Sequence, residues 1–75
     1  QEAQVLRQHD RARAAIKQVV EMPDQDADRI IRSLHQENWQ VSGKLQQEFP
    51  SLFLEGGALF PLRERVVSAV RGAFP

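Results

Sequence analysis

Residues 24–49 read DQDADRIIRSLHQENWQVSGKLQQEF, and the fold turns on how this stretch divides. Ala27, Ile30, Ile31 and Leu34 fall at i, i+3, i+4 and i+7, the spacing that gathers one apolar stripe on an α-helix. Asp24, Asp26 and Asp28 crowd the first turn, where carboxylates interact favourably with free N–H groups and the helix dipole. Asp24 or Asp26 is therefore expected to cap a helix over 24–37. Arg29 and Arg32 follow, and His35 stands near the C-terminal end, in the charge order a helix prefers. Asn38 suits a left-handed stop. Ser42 is then a good N-cap for a short helix over 43–49, on which Val41, Leu45 and Phe49 recur at i, i+4 and i+8.

Working outward, residues 2–21 carry a second apolar stripe of Val5, Ala12, Ile16 and Val19, widened by Ala15 and Val20. Met22-Pro23 ends it, because the residue before proline is pushed out of the α region. On the far side, Pro50 either closes the short helix or opens a new turn. Residues 52–60 (LFLEGGALF) admit two readings, a helical or irregular connection and a hairpin turning at Gly56-Gly57. The first is preferred, since both arms are short and neither alternates clearly. Pro61 suits the first position of a last helix over 61–73, with Leu62, Val66, Ala69, Val70 and Ala73 on one stripe.

These elements predict an all-α fold, a small three- to four-helix bundle with a helix-turn-helix-like corner, occupying 1–75 as a single domain. Helices 24–37 and 61–73 are expected at its centre. Trp39, Leu45 and Phe49 are expected to close one end, with Trp39 inside. The chain begins with Gln rather than Met, and the reading is of a piece of a longer protein.

Composition narrows the function classes. With 41% hydrophobic and 27% charged residues the chain is too apolar for disorder. Ten basic and ten acidic residues cancel, which argues against strong nonspecific binding to nucleic acid. No apolar run approaches the roughly twenty residues of a membrane span, so no membrane partner is expected. No cysteine is present, so disulfides and thiolate metal sites are excluded, and a reducing, cytoplasmic compartment fits.

No cofactor or metal is expected either. Counted as a calcium loop from Asp24, the sixth and twelfth positions hold Arg29 and His35 where Gly and Glu are required. His9 and His35 lack the partner that acid–base work needs, and neighbouring Asp10 points away from His9 on a helix. Glu55-Gly56-Gly57 has no following lysine to make a phosphate loop. The chain is not expected to be an enzyme.

Two surfaces remain. The 24–49 corner has the outline of a helix-turn-helix, whose second helix would present Ser42, Lys44, Gln46 and Gln47, with Arg29 and Arg32 beside them. Ser and Lys suit phosphates and Gln suits adenine edges. However, the usual central glycine of the turn is missing and Lys44 is the one cation on the second helix, opposed by Glu48. The other surface is a basic face of Arg7, Arg11, Arg13 and Lys17, more simply a solvated helix face. The favoured reading is a noncatalytic interaction module that docks to a protein partner or to another part of its parent. The rival is a DNA-binding domain.

Overall fold

The computed structural model describes residues 2–74, and the side chains of residues 7–74. The fold is all-α: helix α1 spans Glu2–Val19, α2 Asp24–Gln36, α3 Gly43–Glu48, α4 Pro50–Phe53 and α5 Arg63–Gly72, with a 3-10 turn at Phe60–Leu62. No strand occurs among the described residues, so the hairpin reading of 52–60 falls. Phe49 precedes Pro50 and leaves the helical region at φ −130°, which separates α3 from α4. Pro61 is the second residue of the 3-10 turn rather than the first of α5, and the last helix begins two residues later than the sequence suggests.

The start and stop of α2 rest on different devices. The expectation that Asp24 or Asp26 caps it is not met. Pro23, extended at φ −63° and ψ 151°, holds the cap position, and its carbonyl accepts from the N–H groups of Asp26 and Ala27, each at 3.1 Å. A capping side chain must stand before the first helical residue, and that place belongs to proline. The two acids occupy the first turn instead.

At the other end Asn38 takes φ 55°, the left-handed stop expected of it. Its N–H donates to the His35 carbonyl at 3.3 Å, and the Trp39 N–H donates to the Leu34 carbonyl at 2.6 Å. This paired arrangement satisfies the Leu34 and His35 carbonyls in the last turn of the helix. Trp39 also lies at positive φ, 71°, a conformation a bulky residue adopts only where its surroundings impose it.

Ala27, Ile30, Ile31, Leu34, Val66 and Val70 are all fully buried in one cluster with Ala12, Ile16, Leu45, Leu52 and Phe53. The arrangement around them differs from the expected one: α1 lies against both α2 and α5, and is the element they share. Its buried line runs Ala12, Ile16 and continues to Val20 just past its end, with Val19 and Ala15 on the flank. Val5, placed on the same stripe, lies outside the described side chains. Phe53 and Leu52, from the ambiguous stretch, are core residues. Trp39 and Phe49 are only half-buried, packed against the cluster from its rim.

Candidate interaction surface

The basic face of α1 is divided by tertiary contacts. Arg13 Nη1 donates to Asp28 Oδ1 on α2 at 2.7 Å, while its Nη2 pairs with Asp10 one turn back. Lys17 Nζ donates to Asp24 Oδ1 at 2.6 Å. The bond to Asp28 raises the Arg13 guanidinium above its ordinary pKa, assisted by the charges of Asp28, Asp10 and Asp24 and opposed by burial. The bond from Lys17, then its charge, holds the Asp24 carboxyl below the usual carboxylate range. Thus Arg13 and Lys17 tie α1 to α2. Arg7 and Arg11 remain exposed and make no ion pair among the described residues.

The corner behaves differently. The Ser42 hydroxyl accepts from the Leu45 N–H at 3.1 Å and fixes the start of α3 as expected. The turn before it leads from α2 into α3. Between them lies a cleft of about 450 Å³ that gathers Arg29, Arg32, Ser42 and Lys44 with Glu37 and Glu48. Arg29, Arg32 and Lys44 are exposed and form no ion pair among the described residues. Gln46 and Gln47, grouped with them on the sequence, lie outside the cleft lining. Gln46 is half-buried and Gln47 exposed.

A second hollow adjoins the first, and the sequence did not reveal it. It measures about 200 Å³, with an apolar wall of Met22, Phe49, Leu52 and Leu59 and acids Glu21, Asp26 and Glu48 at its edge. Glu48 lines both hollows. On the sequence, Met22 marks the stop of α1 and Phe49 the apolar stripe of α3. Their pairing depends on where the 54–59 turn brings Leu59, which no local pattern records. The Leu59 N–H bonds the Ser51 carbonyl at 2.8 Å and sets that position.

The histidines meet aromatic rings. His9 stands edge-on to Phe74 at 5.6 Å between centroids, and His35 lies 5.4 Å from the same ring and 5.7 Å from Trp39. Trp39 and Phe74 complete the group at 5.8 Å. These rings join α1, the end of α2 and the residues after α5, and worth of this kind is packing, roughly 0.5–1.5 kcal/mol per aromatic pair beyond buried area. Neither imidazole hydrogen-bonds a carboxylate among the described residues.

No group of three or more His, Cys, Asp or Glu is placed to hold a metal ion among the described residues. No described helix is long and apolar enough to cross a membrane. Comparison with protein-family models, with curated proteins and with solved structures finds no match to this chain.

Proposed function

We propose that this chain is a noncatalytic interaction module, a small helical bundle with a helix-turn-helix-like corner at α2–α3, which docks to a protein partner or to another part of its parent. The observation that carries this reading is the α2–α3 cleft, where Arg29, Arg32 and Lys44 face solvent and form no ion pair among the described residues, while Glu37 and Glu48 stand among them. Unpaired cations in a concave surface favour an anionic contact. The interleaved carboxylates favour a partner of mixed charge, because a like charge pressed against them is costly. The single buried cluster that takes in every long helix supports treating the chain as one unit.

The rival is DNA binding, favoured by the convergence of Arg29, Arg32, Ser42 and Lys44 at one corner. Three cations would release counterions with a salt slope of about −2.7 at most, and the two acids would reduce it. That is a weak grip for a duplex. Fluorescence anisotropy separates the two readings, with a labelled random-sequence duplex in one arm and a set of labelled mixed-charge peptides in the other. Peptide binding that Arg32→Glu weakens, beside weak duplex binding, supports the module. Tight duplex binding with a steep salt dependence, abolished by Arg32→Glu in a folded protein, overturns it.

A further inference from the structure

The cleft and the apolar hollow beside it share Glu48, and they differ in charge: the hollow's charged residues are all acidic, whereas the cleft holds three cations beside Glu37 and Glu48. Along the exposed side of α2, Asp26, Arg29, Ser33 and Gln36 recur at helical spacing, so they follow one face from the N-terminal to the C-terminal end. Asp26 belongs to the hollow and the other three to the cleft. Lys44 and Glu48 lie one turn apart on α3; both line the cleft, and Glu48 also lines the hollow. The two hollows meet at Glu48 and together give a groove with two poles. One pole is apolar and edged by Glu21, Asp26 and Glu48. The other holds Arg29, Arg32 and Lys44, with Glu37 and Glu48 among them, and is net cationic by one. Neither set of charges is neutralised by an ion pair among the described residues.

We propose that this groove is a docking site for an amphipathic protein segment carrying one large apolar anchor, a cation on the Asp26 side of it and a carboxylate on the Arg32 side. The inference rests on the interaction-module reading and adds the chemistry and polarity of the partner. The anchor enters between Met22, Phe49 and Leu59, whose half-buried surfaces lose water on contact. The hollow's volume of about 200 Å³ suits a single Leu, Met or Phe side chain. The flanking charges of the segment meet the two poles and set its direction, since reversing it would bring like charges together at both ends. Asp26 and Arg32 are six residues apart on α2, which is about 9 Å of helix rise. A helical ligand spans that length in about six residues and an extended one in about three.

The test is a selection from a random linear peptide library displayed against the immobilised full chain, followed by anisotropy on the enriched peptides. The expected consensus is an apolar residue between a Lys or Arg and an Asp or Glu at one of those separations. Asp26→Lys, the pair Arg29→Glu with Arg32→Glu, and Met22→Gln should each weaken binding at least about tenfold. The decisive arm combines Asp26→Lys, Arg29→Glu and Arg32→Glu and adds a peptide with its two charges exchanged. Recovered binding there supports the groove and cannot arise from misfolding. Peptides that depend on Arg29 and Arg32 but ignore Asp26→Lys and Met22→Gln overturn the bipolar groove and leave the module reading standing. Failure of any peptide to enrich overturns the inference, and tight binding of the random duplex in the same preparation removes the reading beneath it as well.

Discussion

Replacing Gly57 by alanine places a Cβ 2.3 Å from the Ser51 carbonyl oxygen, 2.6 Å from the Pro50 carbonyl oxygen and 2.7 Å from the Ser51 carbonyl carbon. All three atoms are backbone, so no side chain can rotate away. Either the 54–59 turn or α4 must retreat. Retreat stretches the 2.8 Å hydrogen bond from the Leu59 N–H to Ser51 and draws Leu52 and Phe53 from a core where they are 3% and 2% exposed. Overpacking of this kind costs about 1–3 kcal/mol, and the weakened hydrogen bond adds about 1 kcal/mol. The expected loss is about 2–4 kcal/mol, against a total of about 4–11 kcal/mol for a chain this long. At about 4–8 °C per kcal/mol for a small domain, the midpoint should fall by roughly 8–30 °C. Thermal melts followed by circular dichroism measure it. Gly72→Ala is the control: nothing lies within 4 Å of its Cβ, and helix propensity makes it neutral or slightly stabilising. A Gly57→Ala midpoint within about 3 °C of the parent would refute the close approach of turn and helix.

Ile31, fully buried on α2, should lose about 2–4 kcal/mol on change to Ala in urea titrations, and an unchanged midpoint would contradict the packing of α2 on α1. Ser42→Ala removes the bond to the Leu45 N–H and should cost about 1 kcal/mol, with Ser42→Asp retaining stability by the same assay. The Asp24 carboxyl is held below its usual range, so its pairing with Lys17 contributes stability above the unfolded carboxyl's titration range and loses it as pH falls through the folded value. The melting difference between the parent and Lys17→Gln should accordingly be present at neutral pH and vanish in acid; a gap that persists unchanged in strong acid would show that the pair is not its source.

Local chemistry in the chain was enough for several elements. The Ala27, Ile30, Ile31, Leu34 stripe is legible because a helix turns every 3.6 residues whatever it packs against, and all four residues are buried. The Ser42 cap and the Asn38 stop are legible because each device is closed within a few residues. The cap of α2 misled because two attractive acids stand just after a proline that already holds the position. Residues 52–60 stayed ambiguous because their apolar run has no decisive period, and burial of Leu52 and Phe53 rather than strand pairing decides them.

Four of the six residues singled out at the corner, Arg29, Arg32, Ser42 and Lys44, do share a cleft, because the turn between α2 and α3 is short. What composition cannot express is which charges are already occupied. Arg13 and Asp28 are fifteen residues apart, and Lys17 and Asp24 seven, yet each pair is joined, while Arg29, Arg32 and Lys44 are not paired among the described residues. Nor can it express that Met22, Phe49 and Leu59 meet at the edge of that cleft, or that Phe74 lies against both His9 and His35. By itself the sequence determined α1, α2, α3 and most of α5, the stop of α2 and the cap of α3, because those depend on periodicity and on hydrogen bonds between near neighbours. The tertiary structure decided which cations stay available and where an apolar hollow opens beside them, because helix placement, not residue type, sets the distance between groups far apart in the chain.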